Sequence, residues 1–183
     1  MRKLCLAGVA LVATVIPGLA QGAGASSFAL TITGGDGPNV IRIKLTADRS
    51  QYLITANGSI GEVAGCRNPS DDPNELDCPA ERINGFLVNT RGGSDTVTVA
   101  ANVPVSVILD GGDGLDGLTG GANTDKLIGG AGPDKLVGRG GPDLLYGGSS
   151  RDGLYGGPGN DVLRGGPGID GLFGGPGLDD IRQ

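Results

Sequence analysis

The chain has 183 residues, a formal net charge of −6, no histidine, no tryptophan and 38 glycines. Without histidine it can build neither a Ser-His-Asp or Cys-His nucleophile nor the zinc-protease helix motif. An acidic chain with only 3% aromatic residues also lacks the basic footprint that nucleic acid requires.

In chain order, residues 1–25 read as a secretory signal. Arg2 and Lys3 make a basic start, Leu4 to Ile16 is a short uncharged run, and Pro17-Gly18 breaks it. Cleavage is expected after Ala20 or Ala25. The run is too short to span a bilayer, so no membrane span is expected once the signal is gone. Loss of the two positive charges of Arg2 and Lys3 takes the charge from −6 to −8. Excess negative charge is what an unoccupied cation binder should carry. The expected location is outside the cell, or the periplasm.

Residues 26–110 alternate apolar and polar residues in short runs: Phe28 to Thr33, Val40 to Leu45, Tyr52 to Thr55, Phe86 to Asn89, Thr96 to Val99 and Val103 to Leu109. Turn residues separate them, among them Gly34-Gly35-Asp36-Gly37-Pro38-Asn39 and Gly92-Gly93-Ser94. The region is expected to be β-rich, as irregular solenoid coils that cap a roll; a separate small β-sandwich is the alternative. Gly34 to Arg42 reads as a stray nonapeptide with Asn39 where the aspartate belongs, and Gly92 to Val99 as a shortened one carrying Asp95. Asp36 and Asp95 are expected to be ordinary turn residues, with metal ligation the alternative. In an oxidising compartment Cys66 and Cys78 are expected to form one disulfide across an acidic loop. Asn57-Gly58-Ser59-Ile60-Gly61 misses the first glycine of the nucleophile elbow. A stretch of this size without tryptophan also makes a poor sugar cleft, so no enzyme is expected.

From Gly111 to Arg182 one nine-residue phrase recurs eight times without insertion, from GGDGLDGLT to GGPGLDDIR. A fixed short period means a solenoid. The sixth position is always aspartate: Asp116, Asp125, Asp134, Asp143, Asp152, Asp161, Asp170 and Asp179. The eighth is always leucine or isoleucine, from Leu118 to Ile181. The glycine-rich start of each phrase turns the backbone, and positions 7–9 form a three-residue strand with position 8 inward. One turn and one strand reverse the chain, so two phrases make one full coil. Eight phrases give four coils and two facing parallel sheets. Aspartates one coil apart then stack on the same edge at roughly 4.8 Å, the spacing of neighbouring strands. Tight turns plus carboxylates offer oxygen ligands without nitrogen or sulfur, which favours calcium over zinc or copper. One Leu or Ile side chain per phrase is a small core for ordering so long a glycine-rich stretch, so ion binding and folding are expected to be one event.

The phrase resembles the RTX (haemolysin-type) calcium-binding nonapeptide repeat. The resemblance implies an all-β fold, a parallel β-roll (β-solenoid) over 111–182 behind the β-rich cap of 26–110. It implies a calcium ion between each turn and the turn one coil on, pairing Asp116 with Asp134, Asp125 with Asp143, Asp134 with Asp152, Asp143 with Asp161, Asp152 with Asp170, and Asp161 with Asp179. Position 4 departs from glycine twice. Asn123 is expected to be harmless because asparagine tolerates left-handed backbone, whereas Ser150 is expected to weaken the sites that use Asp152. On one outer face position 9 stacks Thr119, Val137, Tyr155 and Phe173. Tyr155 and Phe173 there could meet a protein partner, a cell surface or a second copy, or simply pad a glycine-rich sheet. The expected protein is a secreted, non-enzymatic calcium binder; the alternative is an adhesion or matrix module in which calcium is only structural.

Overall fold

The computed structural model describes residues 10–12, 28–57, 66–68 and 72–183. From Val107 onward the chain winds with the nonapeptide period. Strands Val107–Gly114, Lys126–Ala131, Leu144–Ser149, Val162–Arg164 and Asp180–Arg182 pair in parallel in one sheet. Gly117–Thr119, Lys135–Val137, Gly153–Tyr155 and Gly171–Phe173 do so in the other. Partners stand two phrases apart, Leu118 against Leu136 and Leu127 against Leu145. The eighth position therefore stacks leucine on leucine between the sheets. Leu118, Leu127, Leu136, Leu145, Leu154 and Leu163 are wholly buried, each side chain gaining about 2 kcal/mol from leaving water. Leu172 is only partly buried and Ile181 is exposed, because each lies on the outermost strand of its sheet.

The two sheets are not equivalent. One keeps the expected three-residue strands. In the other, Lys126–Ala131 and Leu144–Ser149 run six residues, on into the turn that follows. Glycine permits this extension because successive turns stack backbone on backbone. At Gly132 (φ 119°) an added Cβ would lie 1.7 Å from Gly114 O, one coil away. No side chain can enter that gap.

The same two sheets continue toward the N-terminus. Phe28–Thr33 and Ile83–Asn89 extend the first in parallel, and Val40–Leu45 and Thr96–Val99 extend the second. Irregular coils, not a separate β-sandwich, thus occupy this stretch: its strands share both sheets and one continuous core with the repeats. Beyond Val40–Leu45 the second sheet becomes antiparallel, through Gln51–Ala56 and Glu75–Pro79. Glu75–Pro79 lies where the sequence reads as an acidic loop. It becomes a strand because Leu76 and Cys78 alternate inward beside Tyr52 and Ile54. Tyr52 meets Phe86 edge-on, ring centroids 5.0 Å apart. The Cys66–Cys78 disulfide forms across a separation of 12 residues and pins this end of the sheet, a constraint of roughly 3 kcal/mol.

Of the segment read as a signal, Ala10–Val12 is an antiparallel edge strand on Thr31–Thr33, and the rest lies outside the described residues. Among the described residues no helix is long and apolar enough to cross a membrane. On the outer face Tyr155 and Phe173 stack, centroids 5.1 Å apart and planes 9° apart. Each ring lies over the glycine two residues before it, Gly153 or Gly171, and Lys135 Nζ stands 5.8 Å above the Tyr155 ring.

Candidate metal centre

Turns at the two edges of the roll place the aspartates in two columns. On one edge run Asp116, Asp134, Asp152 and Asp170, each just before a strand of the second sheet. On the other run Asp125, Asp143, Asp161 and Asp179, each just before a strand of the first. Adjacent members are joined through backbone. Asp116 N–H donates to Asp134 Oδ1 at 2.9 Å, Asp134 N–H to Asp152 Oδ1 at 2.9 Å, and Asp152 N–H to Asp170 Oδ1 at 2.9 Å. Asp125 N–H donates to Asp143 Oδ1 at 2.8 Å, Asp143 N–H to Asp161 Oδ1 at 2.8 Å, and Asp161 N–H to Asp179 Oδ1 at 3.0 Å. The stacking expected one coil apart is therefore present. Its contact runs from backbone N–H to carboxylate.

The first column does not start with the repeats. Asp95 N–H donates to Asp116 Oδ1 at 2.9 Å, and Asn39 N–H to Asp95 Oδ1 at 2.6 Å. By sequence alone Asp95 belongs to a shortened nonapeptide and reads as an ordinary turn residue rather than a ligand. A signal is nonetheless present: Thr90-Arg91-Gly92-Gly93-Ser94-Asp95 has the same six-residue length as Gly111 to Asp116. Only the pairing of Gly93 with Gly114 reveals the shared register.

The second carboxylate oxygen tells most. Oδ2 of Asp116, Asp134, Asp143, Asp152, Asp161 and Asp170 is buried and has no hydrogen-bond partner, and so is Oδ2 of Asp95. A buried acceptor left unpaired costs about 1–3 kcal/mol, and more when charged. Carbonyl oxygens line the same space. A Cβ added to Gly129 would sit 2.4 Å from Asp134 Oδ2 and 2.4 Å from Gly147 O, so a small cradle lies between one turn and the next. Gly111, Gly138, Gly147 and Gly156 repeat the arrangement with Asp116, Asp143, Asp152 and Asp161.

Asp125 is different. Its Oδ1 accepts from Val107 N–H at 2.9 Å and its Oδ2 from Gly121 N–H at 2.7 Å, so no oxygen is left over. Gly121 does not take the positive φ of the other second-position residues, and its turn folds its own N–H onto the carboxylate. Asn123 does not take positive φ either. Arg139, held at φ 81°, adds a guanidinium that donates to Gly120 O at 2.9 Å and to Val99 O. Ser150 behaves in the opposite way. It takes the glycine conformation, φ 99°, and leaves Asp152 Oδ2 unpartnered like its neighbours. At both positions the backbone thus differs from what residue type suggests.

Burial pushes six of the repeat carboxyls up. Asp134 rises to about 7, through desolvation first and then the charges of Asp116 and Asp152. Asp143 rises to about 7 for the same reason, with Asp125 and Asp161 as neighbours. Asp116, Asp125, Asp152 and Asp161 move in the same direction, also chiefly through burial.

Among the described residues no three acidic or sulfur side chains converge on one point. A cation held here must therefore draw on backbone oxygen beside each carboxylate. Oxygen-only donors in a shell of carbonyls and carboxylate suit calcium, which takes 6–8 oxygen ligands in flexible geometry. Residues 108–182 match the family model of the RTX calcium-binding nonapeptide repeat in four copies, over 108–136, 119–154, 128–163 and 155–182. The match to RTX calcium-binding repeats is confined to these residues. No curated protein matches the chain, and neither does any solved structure. The RTX roll is a structural calcium-binding unit, and the unpartnered Oδ2 atoms and the carbonyls beside them are the groups its turns could offer to an ion.

Proposed function

We propose that this is a secreted, non-enzymatic calcium-binding protein whose RTX region folds and becomes rigid when it binds calcium. The observation that carries this reading is the set of buried Oδ2 atoms without a hydrogen-bond partner, repeated along both edges beside carbonyl oxygens. Asp116, Asp134, Asp143, Asp152, Asp161, Asp170 and Asp179 are the proposed ligands. Of the eight sequence candidates, Asp125 alone has both oxygens satisfied by N–H groups, and it contributes least. The N-terminal segment is taken as a signal that is removed, and residues 26–110 as a cap that seals the N-terminal end of the roll. Bound calcium would supply positive charge between turns whose oxygens otherwise face one another. The chain contributes the rest: glycine turns that bring the carbonyls close, and leucine stacks that keep successive turns in register.

A calcium titration followed by circular dichroism, with ions counted by native mass spectrometry, tests the reading. We expect a cooperative gain of β signal together with several bound ions. A full β signal in excess chelator, or a count of zero in excess calcium, would overturn it.

A further inference from the structure

The turn at 90–95 reads Thr-Arg-Gly-Gly-Ser-Asp, and the repeat turn at 138–143 reads Gly-Arg-Gly-Gly-Pro-Asp. Their backbones agree where it matters. Arg91 (φ 67°) and Gly93 (φ 117°) are left-handed at positions 2 and 4, as Arg139 (φ 81°) and Gly141 (φ 97°) are. Position 5 is exposed in both turns. The difference that reaches the interior is therefore at position 1, threonine against glycine.

In the repeats, position 1 is where the cradle opens. A Cβ added to Gly111 would lie 2.3 Å from Asp116 Oδ2 and 2.8 Å from Gly129 O. One added to Gly138 would lie 2.3 Å from Asp143 Oδ2 and 2.7 Å from Gly156 O. Thr90 carries that Cβ and is wholly buried. Its Oγ1 donates to Gly111 O at 2.8 Å and stands 3.3 Å from Asp110 O. Gly111 O is the position-1 carbonyl of the next turn, the same group that Gly129 O and Gly156 O supply to the repeat cradles. The threonine side chain thus fills the space, and its hydroxyl hydrogen satisfies a carbonyl that faces an open cradle elsewhere. Asp95 keeps the chemistry of a ligand, with Oδ2 buried and unpartnered, but has no room for an ion beside it.

One coil further toward the N-terminus the solution is similar. At position 6 of the turn 34–39, Asn39 Nδ2 donates to Gly37 O at 2.7 Å, to Gly35 O at 3.2 Å, to Thr90 O at 3.3 Å and to Asp95 Oδ1 at 2.9 Å. Side-chain hydrogens, from an amide and a hydroxyl, serve the carbonyls of both cap turns on this edge.

We infer that Thr90 sets the N-terminal limit of the calcium column on the Asp116 edge, by occupying the cradle of Asp95 and giving its hydroxyl hydrogen to Gly111 O. The inference rests on the calcium reading above and names the residue that separates a coil closed by the protein's own hydrogens from coils closed by an ion. Asp95 holds no calcium in the native chain, and loss of the threonine side chain is enough to let it do so, because the remaining turn already has the repeat backbone.

Native mass spectrometry of the full chain in excess calcium tests this with Thr90→Gly, Thr90→Ser, Asp95→Asn and the double variant Thr90→Gly/Asp95→Asn. Thr90→Gly should hold one ion more than wild type. Thr90→Ser keeps the hydroxyl and should keep the wild-type count. Asp95→Asn alone should also keep it, and in the double variant it should abolish the extra ion. A Thr90→Gly protein that holds the wild-type count or fails to fold in calcium overturns the inference, and so does an Asp95→Asn protein that holds one ion fewer. A wild-type count of zero overturns the calcium reading and this inference with it; a nonzero count that Thr90→Gly does not raise overturns this inference alone.

Discussion

Six of the eight repeat aspartates give their two oxygens different work. Oδ1 receives the N–H of the aspartate one coil earlier, which fixes the stacking. Oδ2 is left facing oxygen. Without metal that arrangement favours the protonated acid, and Asp134 and Asp143 accordingly sit near 7 in the folded chain, well above the value of about 4 expected when it is unfolded. A folded pKa above the unfolded one contributes stability that is complete at low pH and is lost as pH rises toward the folded value. In chelator the roll should therefore keep more β signal at pH 5 than at pH 8. In calcium the order should reverse, because the ion needs the ionised carboxylate. Circular dichroism at both pH values, with and without calcium, checks this; a chelated signal independent of pH would contradict it.

At the level of the element, a turn works only if nothing fills its cradle. Gly129 and Gly117 make the contrast. A Cβ on Gly129 would enter the space between Asp134 Oδ2 and Gly147 O, at 2.4 Å from each. A Cβ on Gly117 would meet Asp95 O at 3.9 Å and Thr96 Oγ1 at 4.0 Å, which is ordinary contact in a strand. Gly129→Ala should destabilise the calcium-loaded protein by about 3 kcal/mol. Gly117→Ala should be neutral or stabilising by up to about 1 kcal/mol, through the unfolded chain. Urea denaturation in calcium measures both, and equal effects would mean that the cradle is not built as described.

Over the whole molecule, what holds the chain together changes along the axis of the roll. The N-terminal coils bury Leu30, Ile32, Ile41, Ile43, Tyr52, Ile54, Phe86 and Val88 and carry the disulfide. A repeat contributes one leucine and one aspartate. Solenoids lose order locally when the contact between neighbouring coils weakens. In chelator, amides of 126–182 should exchange with solvent quickly while those of Phe28–Thr33 and Val40–Leu45 stay protected, and calcium should restore the former. Hydrogen exchange read by mass spectrometry decides it, and uniform behaviour along the chain would refute the gradient.

The period of nine was enough to read the roll, the inward leucine and the stacked aspartate, because each is set by contacts between identical positions one coil apart. The irregular coils of 28–110 were legible as strands, and as two degenerate nonapeptides at Asn39 and Asp95, yet not in their register with the columns. The Asn39 and Asp95 turns are separated by an antiparallel excursion through Gln51–Ala56 and Glu75–Pro79, and no fixed spacing survives it. Residue type also misled at Asn123 and Ser150, where backbone dihedrals depend on the coils above and below. Only the stacked structure decided which carboxylate oxygens find an N–H and which face oxygen alone, since that depends on groups brought together from three successive turns.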